Sequence, residues 1–369
     1  MLKIIFVIIV LLHAFIHLLG FAKAFNIAEI DQLTQSISKI SGIFWMSATV
    51  LFFGAMLLFL SKQKSWWIIA LASVGLSQIL ILRNWGDAKF GTIMNIIILL
   101  PVVIAFFGTL PSSFQNVYKA EVQKRLAPIP EQSVVSEADL RHLPEPVQKY
   151  LRYVGAVGKP KVRNIRMVFK GQLKQKKASK WMNISSEQYN FYGDYARFFY
   201  IKSSMFGIPF DGLHAYVGGK ATMKIKVASL FQVADAKGDK MDRGETVTVF
   251  NDMCVFAPAT LVDNNIEWEE VDLLTVMAKF TNRDITIEAV LSFNEEGALI
   301  DFISGDRYYT VNGDEYINYE WSTPISSYKD FNGRKAPTYG EAIWHTPEGE
   351  FTYIRFDITE IDYNLEIFK

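Results

Sequence analysis

The residues best suited to acid–base chemistry lie in the carboxyl-terminal half of the chain. His214 follows Asp211 by three positions, and His345 follows Glu341 by four. An imidazole beside a carboxylate can transfer protons in a hydrolase. However, these spacings match no catalytic signature, and the chain has no nucleophile elbow, phosphate-binding loop or zinc-protease motif. We therefore favour structural roles in a non-enzymatic protein, with a hydrolase-like enzyme acting on a membrane-derived substrate as the alternative.

Cofactor and metal sites have little support in the sequence. Cys254 is the only cysteine, which excludes an intrachain disulfide and a cysteine-rich metal site. His13 and His17 lie one helical turn apart, but the other apolar runs carry no histidine to complete a bis-histidine haem site. We predict no cofactor and no metal, and expect both histidines to hydrogen-bond across a bundle or, alternatively, to bind a ligand or handle protons. The candidate hydrogen-bond partners are Ser73, Ser77, Gln78 and Asn95.

Aromatic side chains are the main candidates for a binding site for an apolar molecule. Pockets that bury such ligands are lined mostly by apolar and aromatic groups. The candidate ligand-binding residues are Tyr200, Phe210, Tyr216, Trp268, Trp321 and Trp344. The aromatic core of an ordinary β-sheet would explain the same composition, so both interpretations stay open. The expected partners are membrane lipid and an apolar small ligand.

The overall charge argues against a nucleic-acid partner. The 369 residues include 38 basic and 38 acidic side chains, which gives a formal net charge of zero. Proteins that bind nucleic acids usually carry a basic excess, so we expect no such partner. Charged residues are sparse in the first 110 positions and frequent afterwards. This division predicts an apolar amino-terminal domain followed by a more polar one.

Four apolar runs in residues 1–110 have the length of membrane-spanning helices. They cover residues 4–21, 43–60, 66–82 and 92–110. About 20 apolar residues are needed to cross a bilayer as a helix, so we predict a four-helix transmembrane domain. A secretory signal cleaved after Ala24 is the alternative for the first run, although its apolar part is longer than usual.

Charged residues at the ends of these runs bear on the orientation of the chain. Arg83, Asp87 and Lys89 cluster in the turn between the third and fourth runs, where pairing or contact with lipid headgroups is expected. Basic residues are slightly more frequent on the side that holds the amino terminus and the large domain. The positive-inside rule therefore predicts a multi-pass protein of the cell membrane (inner or plasma) with the large domain in the cytoplasm.

Residues 161–369 show the alternation of an antiparallel β domain. Apolar and polar side chains alternate through residues 285–293, which is typical of a half-buried strand. About ten such strands separated by tight turns predict a curved sheet or a partly open barrel. Residues 245–256 read instead as an apolar helix, which we expect to plug the concave face. Residues 111–160 are predicted to form a linker and a short helical adaptor.

Three motifs in the second half of the chain carry a resemblance to a known family. They are LPEPVQKYL at 143–151, HAYVGGKATM at 214–223 and GEAIWH at 340–345. They resemble an uncharacterised bacterial family of membrane-anchored proteins, domain-of-unknown-function family 6544, over roughly residues 140–363. The resemblance implies no activity, because none is known for the family. The expected architecture is also similar to lipoprotein carriers with a curved sheet around a helical plug, a likeness of fold alone.

These patterns favour an integral membrane protein whose β domain binds a lipid or another apolar ligand at the membrane surface. The hydrolase-like enzyme described above is one alternative. A membrane sensor or assembly factor that detects a signal through His13 and His17 is the other.

Overall fold

The computed structural model describes residues 2–128, 133–205 and 207–369, which form two compact units. The first unit is Met1–Ser113 and the second is Phe114–Lys369. The boundary falls just after the last apolar run, where the composition of the chain changes.

The first unit is helical. Its helices are α1 (Leu2–Ala24), α2 (Lys39–Leu60), α3 (Trp66–Arg83), α4 (Trp85–Ala88) and α5 (Gly91–Thr109). The helices α1, α2 and α3 and the segment that begins with α5 are long and apolar enough to cross a membrane, which confirms the four predicted apolar helices. Side chains such as Ile4, Ile40 and Leu100 are apolar and exposed on the outside of the unit. That pattern suits lipid rather than water as the surrounding medium.

The second unit contains one large sheet and three α-helices in the described residues. The helices are α6 (Phe114–Gln123), α7 (Glu145–Tyr153) and α8 (Asp239–Phe256), with short 3-10 helices at Glu137–Leu140 and Pro258–Val262. The first six strands are β1 (Asn164–Leu173), β2 (Met182–Phe191), β3 (Ala196–Met205), β4 (Ile208–Val217), β5 (Lys220–Val227) and β6 (Phe231–Lys237). The next six are β7 (Ile266–Asp272), β8 (Thr275–Asn282), β9 (Ile285–Phe293), β10 (Leu299–Ser304), β11 (Tyr308–Tyr309) and β12 (Ile317–Asn318). The last four are β13 (Glu320–Ser322), β14 (Ile325–Asp330), β15 (Lys335–Thr346) and β16 (Gly349–Tyr363).

The sheet is antiparallel, as predicted, and it is open. Its strands follow the order β6, β5, β4, β3, β2, β1, β16, β15, β13, β10, β9, β8 and β7, with β14 also paired to β15. The strands β11 and β12 form a separate ribbon. Among the described residues, β6 and β7 have a partner on one side only, so the sheet does not close into a barrel. The main sheet has 14 strands rather than about ten, because short strands such as β13 give little alternation to detect.

Helix α8 lies against one face of the sheet, which we call the inner face. Its residues from Gly244 to Phe256 are buried, as expected of a helix surrounded by protein. The hydroxyls of Thr246 and of Tyr216 on β4 hydrogen-bond at 2.9 Å, while the Phe250 ring stacks on Phe280 of β8 with centroids 5.0 Å apart. Because α8 contacts strands from both halves of the sheet, the sheet curves around it.

The helix α8 begins at Asp239, six residues earlier than the predicted 245. Gly238 precedes it with a φ of 99°. Asp239 and Asp242 lie in the first turn, where acidic side chains stabilise a helix through its dipole. The acidic first turn was therefore the signal for the earlier start.

The face of the sheet opposite α8, the outer face, is covered in part by α6. The ring of Tyr118 packs on Tyr200 at 5.5 Å and on Tyr189 at 6.3 Å between centroids. The helix α7 packs against α8 instead, where its Tyr150 hydroxyl donates to the Cys254 carbonyl oxygen at 2.7 Å. Residues 111–160 therefore contribute two helices that pack against the sheet and against α8.

Candidate functional site

Two acidic side chains on α8 form the most polar part of the inner face. Glu245 and Asp252 are seven residues apart, so they project from the same side of the helix. Both are buried, and a buried charge is tolerated only when it is paired and hydrogen-bonded. The partner is Arg197 on β3, whose Nη1 donates to Glu245 Oε2 at 3.1 Å and whose Nε donates to Asp252 Oδ2 at 2.9 Å.

Two neutral amides on β2 complete the surroundings of Asp252. Gln188 Nε2 and Asn190 Nδ2 donate to Asp252 Oδ2 at 2.7 and 2.9 Å. The Gln188 carbonyl oxygen in turn accepts from Arg197 Nη2 at 3.0 Å. These bonds attach α8 to β2 and β3 through groups that satisfy one another.

Glu245 has two further neighbours, Arg307 and His214. Arg307 Nη2 donates to Glu245 Oε1 at 3.3 Å, and His214 Nδ1 lies 3.8 Å from the same oxygen. Burial raises the pKa of the Glu245 carboxyl, but His214, Arg197 and Arg307 lower it more, so the net pKa shift is downward. Glu245 is therefore a permanent carboxylate near neutral pH. We call Arg197, Glu245, Asp252 and Arg307 the charged cluster, in which two cations balance two anions.

Beyond His214 the inner face of the same strands becomes apolar. His214, Gly212 and Phe210 alternate along β4 and so share a face, and the register pairs Gly212 with Ile201 of β3 and with Ile225 of β5. A Cβ atom at Gly212 would lie 2.5 Å from Ile201 Cγ2, so glycine is required for this close packing. We call Ile201, Phe210, Ile225 and Val227 the apolar strip.

Solvent reaches the apolar strip, in contrast to the part of the inner face beside α8. Phe210, Ile225 and Val227 are half-buried. Tyr216 and Ala221, which lie farther along the same face of β4 and β5, are fully buried. An accessible apolar surface inside a curved sheet has the chemistry of a site for an apolar ligand.

Only Phe210 among the six predicted ligand-binding residues belongs to the apolar strip. Trp321 and Trp344 are buried cross-strand neighbours on β13 and β15. Tyr216 is buried beside α8, and Trp268 packs at the ring of Phe250 with centroids 6.5 Å apart. Tyr200 lies on the outer face against α6. The structure therefore distributes the six side chains over both faces of the sheet instead of around one pocket.

The predicted acid–base pair on β4 is separated by the geometry of the strand. Asp211 and His214 are three residues apart, so their side chains point to opposite faces. Asp211 accepts a hydrogen bond from Tyr200 at 3.0 Å on the outer face, while His214 approaches Glu245 on the inner face. The expectation that they act together is wrong, because period-two alternation places them on different sides of the sheet.

The second predicted pair, Glu341 and His345, lies on the outer face of β15. Glu341 accepts from the Tyr339 hydroxyl at 2.5 Å. His345 Nε2 lies 2.8 Å from Ser322 Oγ, and its Nδ1 lies 3.8 Å from Glu350 Oε1. This order of groups resembles a serine hydrolase triad, and sequence reasoning missed it because Ser322 is remote in the chain. Ser322 is only 2% exposed, so a substrate carbonyl could not reach its Oγ.

His345 and His214 therefore do not share a site. His345 alternates with the inward-facing Trp344, whereas His214 faces α8. The predicted hydrolase site that combines both histidines is therefore contradicted, because the alternation of the strands places them on opposite faces of the sheet.

In the first unit, His13 and His17 contact polar side chains of α3 and α5. His13 Nε2 lies 2.9 Å from Asn95 Oδ1, and His17 Nε2 lies 2.9 Å from Ser77 Oγ. Ser77 Oγ is also 3.2 Å from His13 Nε2, and Asn95 Nδ2 donates to Gln78 Oε1 at 3.0 Å. The contacts match the hydrogen-bonding interpretation, since they satisfy polar groups inside an apolar bundle.

The other polar residues predicted in this unit lie around α4. Asp87 accepts from Thr34 Oγ1 at 2.7 Å and from the Gln35 backbone N–H at 2.8 Å. Lys89 Nζ lies 5.4 Å from the centroid of the neighbouring Phe90 ring, and Arg83 is the last residue of α3. Asp87 thus attaches the loop between α1 and α2 to α4.

A separate cavity in the second unit has charged walls. Its volume is about 590 Å³, and its lining includes Arg125, Lys161, Arg163, Asp194 and Asp263. Charges of both signs suit a polar molecule, so this cavity is not the candidate for an apolar ligand. Within the described ranges, no group of three or more His, Cys, Asp or Glu side chains is arranged to hold a metal ion.

The family comparison covers more than half of the chain. A family of unknown function (DUF6544) matches residues 133–356. The chain belongs to this family. The predicted membership is confirmed, and the matched range includes the charged cluster and the apolar strip. No curated protein matches the chain.

Two solved structures show distant similarity to the chain. A LolA superfamily protein from Nitrosomonas europaea is 8% identical, with 58% of this chain and 92% of that chain covered and a TM-score of 0.32. A DUF1329 family protein from Desulfovibrio piger is 11% identical, with coverages of 59% and 91% and a TM-score of 0.33. Scores this low support no argument about function.

Proposed function

We propose that this protein is anchored in the cell membrane by its first unit and binds a lipid or another apolar small molecule through its second unit. The observation that carries the proposal is the apolar strip. Phe210, Ile225 and Val227 are half-buried on the inner face of a curved sheet, where water contacts them unless a ligand covers them. Covering about 100 Å² of such surface with an acyl chain is worth roughly 2.5 kcal/mol.

The charged cluster supports this proposal by holding α8 in place. Arg197 bonds to Glu245 and to Asp252, two helical turns apart, so the helix is fixed along its length against β3. A fixed α8 provides a rigid wall beside the strip, and rigid sites bind with a smaller loss of conformational entropy.

A crosslinking experiment on the full chain tests the proposed binding. The chain is reconstituted in phospholipid nanodiscs, exposed to a palmitic acid that carries a diazirine, and irradiated. Mass spectrometry of the digest is expected to find adducts on β4 and β5. An Ile225→Asp substitution should lower these adducts about tenfold, because a carboxylate on the strip must be desolvated.

The matched control is Thr222→Asp, which adds the same charge to β5 on the outer face. The register places Thr222 opposite Ala215 and away from the strip. This variant should keep the adducts, and Ile225→Ser should lower them by less than Ile225→Asp. Equal labelling in the wild type and in both Ile225 variants, with unchanged melting temperatures, would reject the proposal.

The proposed orientation places the second unit in the cytoplasm. It follows from the excess of basic residues on that side of the apolar runs. In sealed inside-out membrane vesicles, added protease should therefore digest the carboxyl-terminal unit. Full protection of that unit would show the opposite orientation.

A further inference from the structure

The two ends of strands β1 to β6 differ in chemistry. These strands pair in sequence order and antiparallel, so their connections alternate between the two ends of the sheet. At one end the β2–β3 and β4–β5 turns are short and polar, with Gly193 and Asp194 in one and Gly218 and Gly219 in the other. The β1–β2, β3–β4 and β5–β6 connections lie at the other end, which we call the hairpin end.

The β1–β2 connection is rich in lysine. It contains Lys174, Lys176, Lys177 and Lys180, and it has no acidic residue between the two strands. Lys176, Lys177 and Lys180 are exposed, whereas Lys174 Nζ lies 4.7 Å from the ring centroid of Trp181. Lysine with tryptophan is the combination found at the boundary between lipid and water.

The other two connections of the hairpin end carry exposed apolar side chains. Met205 and Ile208, beside the β3–β4 turn, are 54% and 52% exposed. Phe231 and Val233, beside the β5–β6 turn, are 68% and 54% exposed. Neighbouring apolar side chains of this size rarely face water without a partner.

The charge around these apolar side chains favours an anionic partner. Lys202 and Lys226 lie near the ends of their strands with Asp211 between them, and the register places the pairs Lys170–Asp357 and Arg355–Glu341 at similar depth. The other carboxylates at this end are Glu320, Glu348 and Glu350. Eight basic side chains against six carboxylates leave a positive surface, concentrated in the β1–β2 connection, which anionic headgroups attract.

Helix α6 runs along the outer face from the hairpin end toward the other end of the strands, and it follows the fourth apolar helix in the chain. The ring of Phe114, the first residue of α6, lies 4.6 Å from Lys226 Nζ, one residue from the end of β5. The Arg125 guanidinium, just after α6, lies over the Phe198 ring, toward the other end of the strands. Four residues, Leu110 to Ser113, separate α5 from α6. An extended chain spans at most about 3.6 Å per residue, so the connection from Thr109 to Phe114 spans at most roughly 18 Å.

We infer that the hairpin end docks onto the anionic surface of the same membrane, with Met205, Ile208 and Phe231 entering the headgroup layer and the lysines contacting phosphate groups. This inference rests on the proposed membrane anchoring. The docking would place the apolar strip, which begins at Phe210 and Val227, directly behind the inserted side chains. An apolar molecule could then pass between bilayer and strip without crossing bulk water.

Fluorescence of single labelled cysteines in the full chain tests the docking. Cys254 is buried, and burial raises the pKa of its thiol, so the native cysteine stays unreactive. The chain carrying Phe231→Cys is labelled with an environment-sensitive dye and reconstituted in vesicles of phosphatidylcholine and phosphatidylglycerol. The label should emit at shorter wavelength and be quenched by nitroxide lipids. Phosphatidylcholine alone, or Lys176→Gln with Lys177→Gln and Lys180→Gln, should remove most of this quenching.

The matched control is Leu273→Cys at the β7–β8 hairpin. Leu273 is also apolar and is 80% exposed, but it has no comparable group of lysines around it. Its label should stay in water.

Equal quenching of both labels would overturn the inference, as would an unquenched Phe231 label. Energy transfer between labelled copies would overturn it too, since that would indicate pairing through the edge strand β6. If the Phe231 label is not quenched but the fatty-acid adducts on β4 and β5 persist, the docking alone is rejected. If the label is quenched but the adducts are missing, the proposed ligand is rejected and the docking stands.

Discussion

The two units bury polar groups in different ways. Inside the helical unit, His13, His17, Ser77 and Asn95 share hydrogen bonds between groups that need carry no charge. Inside the sheet unit, Arg197 joins two full carboxylates. A bundle that spans a bilayer, as we propose for the first unit, has little means of solvating an ion, so neutral pairs are the less costly solution there. A unit surrounded by water can bury ions, provided that each is paired.

The largest expected effect comes from breaking the charged cluster. Asp252→Ala would leave Arg197, Gln188 and Asn190 without their shared acceptor. We expect the free energy of unfolding of the second unit to fall by about 3–5 kcal/mol, since a buried charge loses its partner. Hydrogen exchange of β2 and β3 in the full chain would measure this loss. Asp239→Ala, at an exposed position on the same helix, should change the stability by less than about 0.5 kcal/mol.

A smaller effect is expected from the neutral cluster of the first unit. Asn95→Leu removes the contacts with His13, Ser77 and Gln78. Interhelical hydrogen bonds in membranes contribute about 1–2 kcal/mol, so the bundle should lose stability by that amount. Unfolding in mixed micelles would measure it, with Ile96→Leu on the outside of α5 as the control. A loss as large as that of Asp252→Ala would break the distinction between the two units.

The pH dependence of stability sharpens the comparison further. The pKa of Glu245 is lowered in the folded chain, so its stabilising contribution is complete above its ordinary pKa of 4.5 and is lost as the pH falls below that value. Glu245→Gln should be less stable at pH 7 but should lose on the order of 1 kcal/mol less on acidification to pH 3. Denaturant unfolding at both pH values would show this. Parallel losses in both proteins would contradict the assignment.

The smallest effect on stability is expected at the hairpin end. Ile208→Ser changes a side chain that is exposed and contributes little to either interior. The free energy of unfolding should therefore change by less than about 0.5 kcal/mol, as measured by thermal unfolding in detergent. A larger loss would mean that this end belongs to the core of the sheet.

The elements that are determined by local patterns along the chain were predictable from the sequence. The alternation at 285–293 marks β9 at its observed bounds, and the run at 245–256 lies within α8. Apolar helices offer few polar groups, so four candidate partners of the histidines could be named. Ser77 and Asn95 contact them, whereas Gln78 bonds to Asn95 and Ser73 donates to the Ile69 carbonyl oxygen.

Contacts between distant segments were harder to predict. Arg197 meets Glu245 and Asp252 only because β3 and α8 pack together. The seven-residue spacing of two acids within a mostly apolar helix was a usable signal that we did not use. Likewise, period-two alternation already places Asp211 and His214 on opposite faces. The partner of His345, Ser322, depends on the pairing of β13 with β15, which no local pattern encodes.

The four-residue connection between α5 and α6 has a consequence for affinity. With the first unit anchored as proposed, a tether this short would hold the sheet unit near the bilayer at an effective concentration on the order of millimolar. Contacts that would be too weak to recruit a free protein would then suffice to keep the tethered unit bound, so rapid detachment and rebinding would be compatible with function.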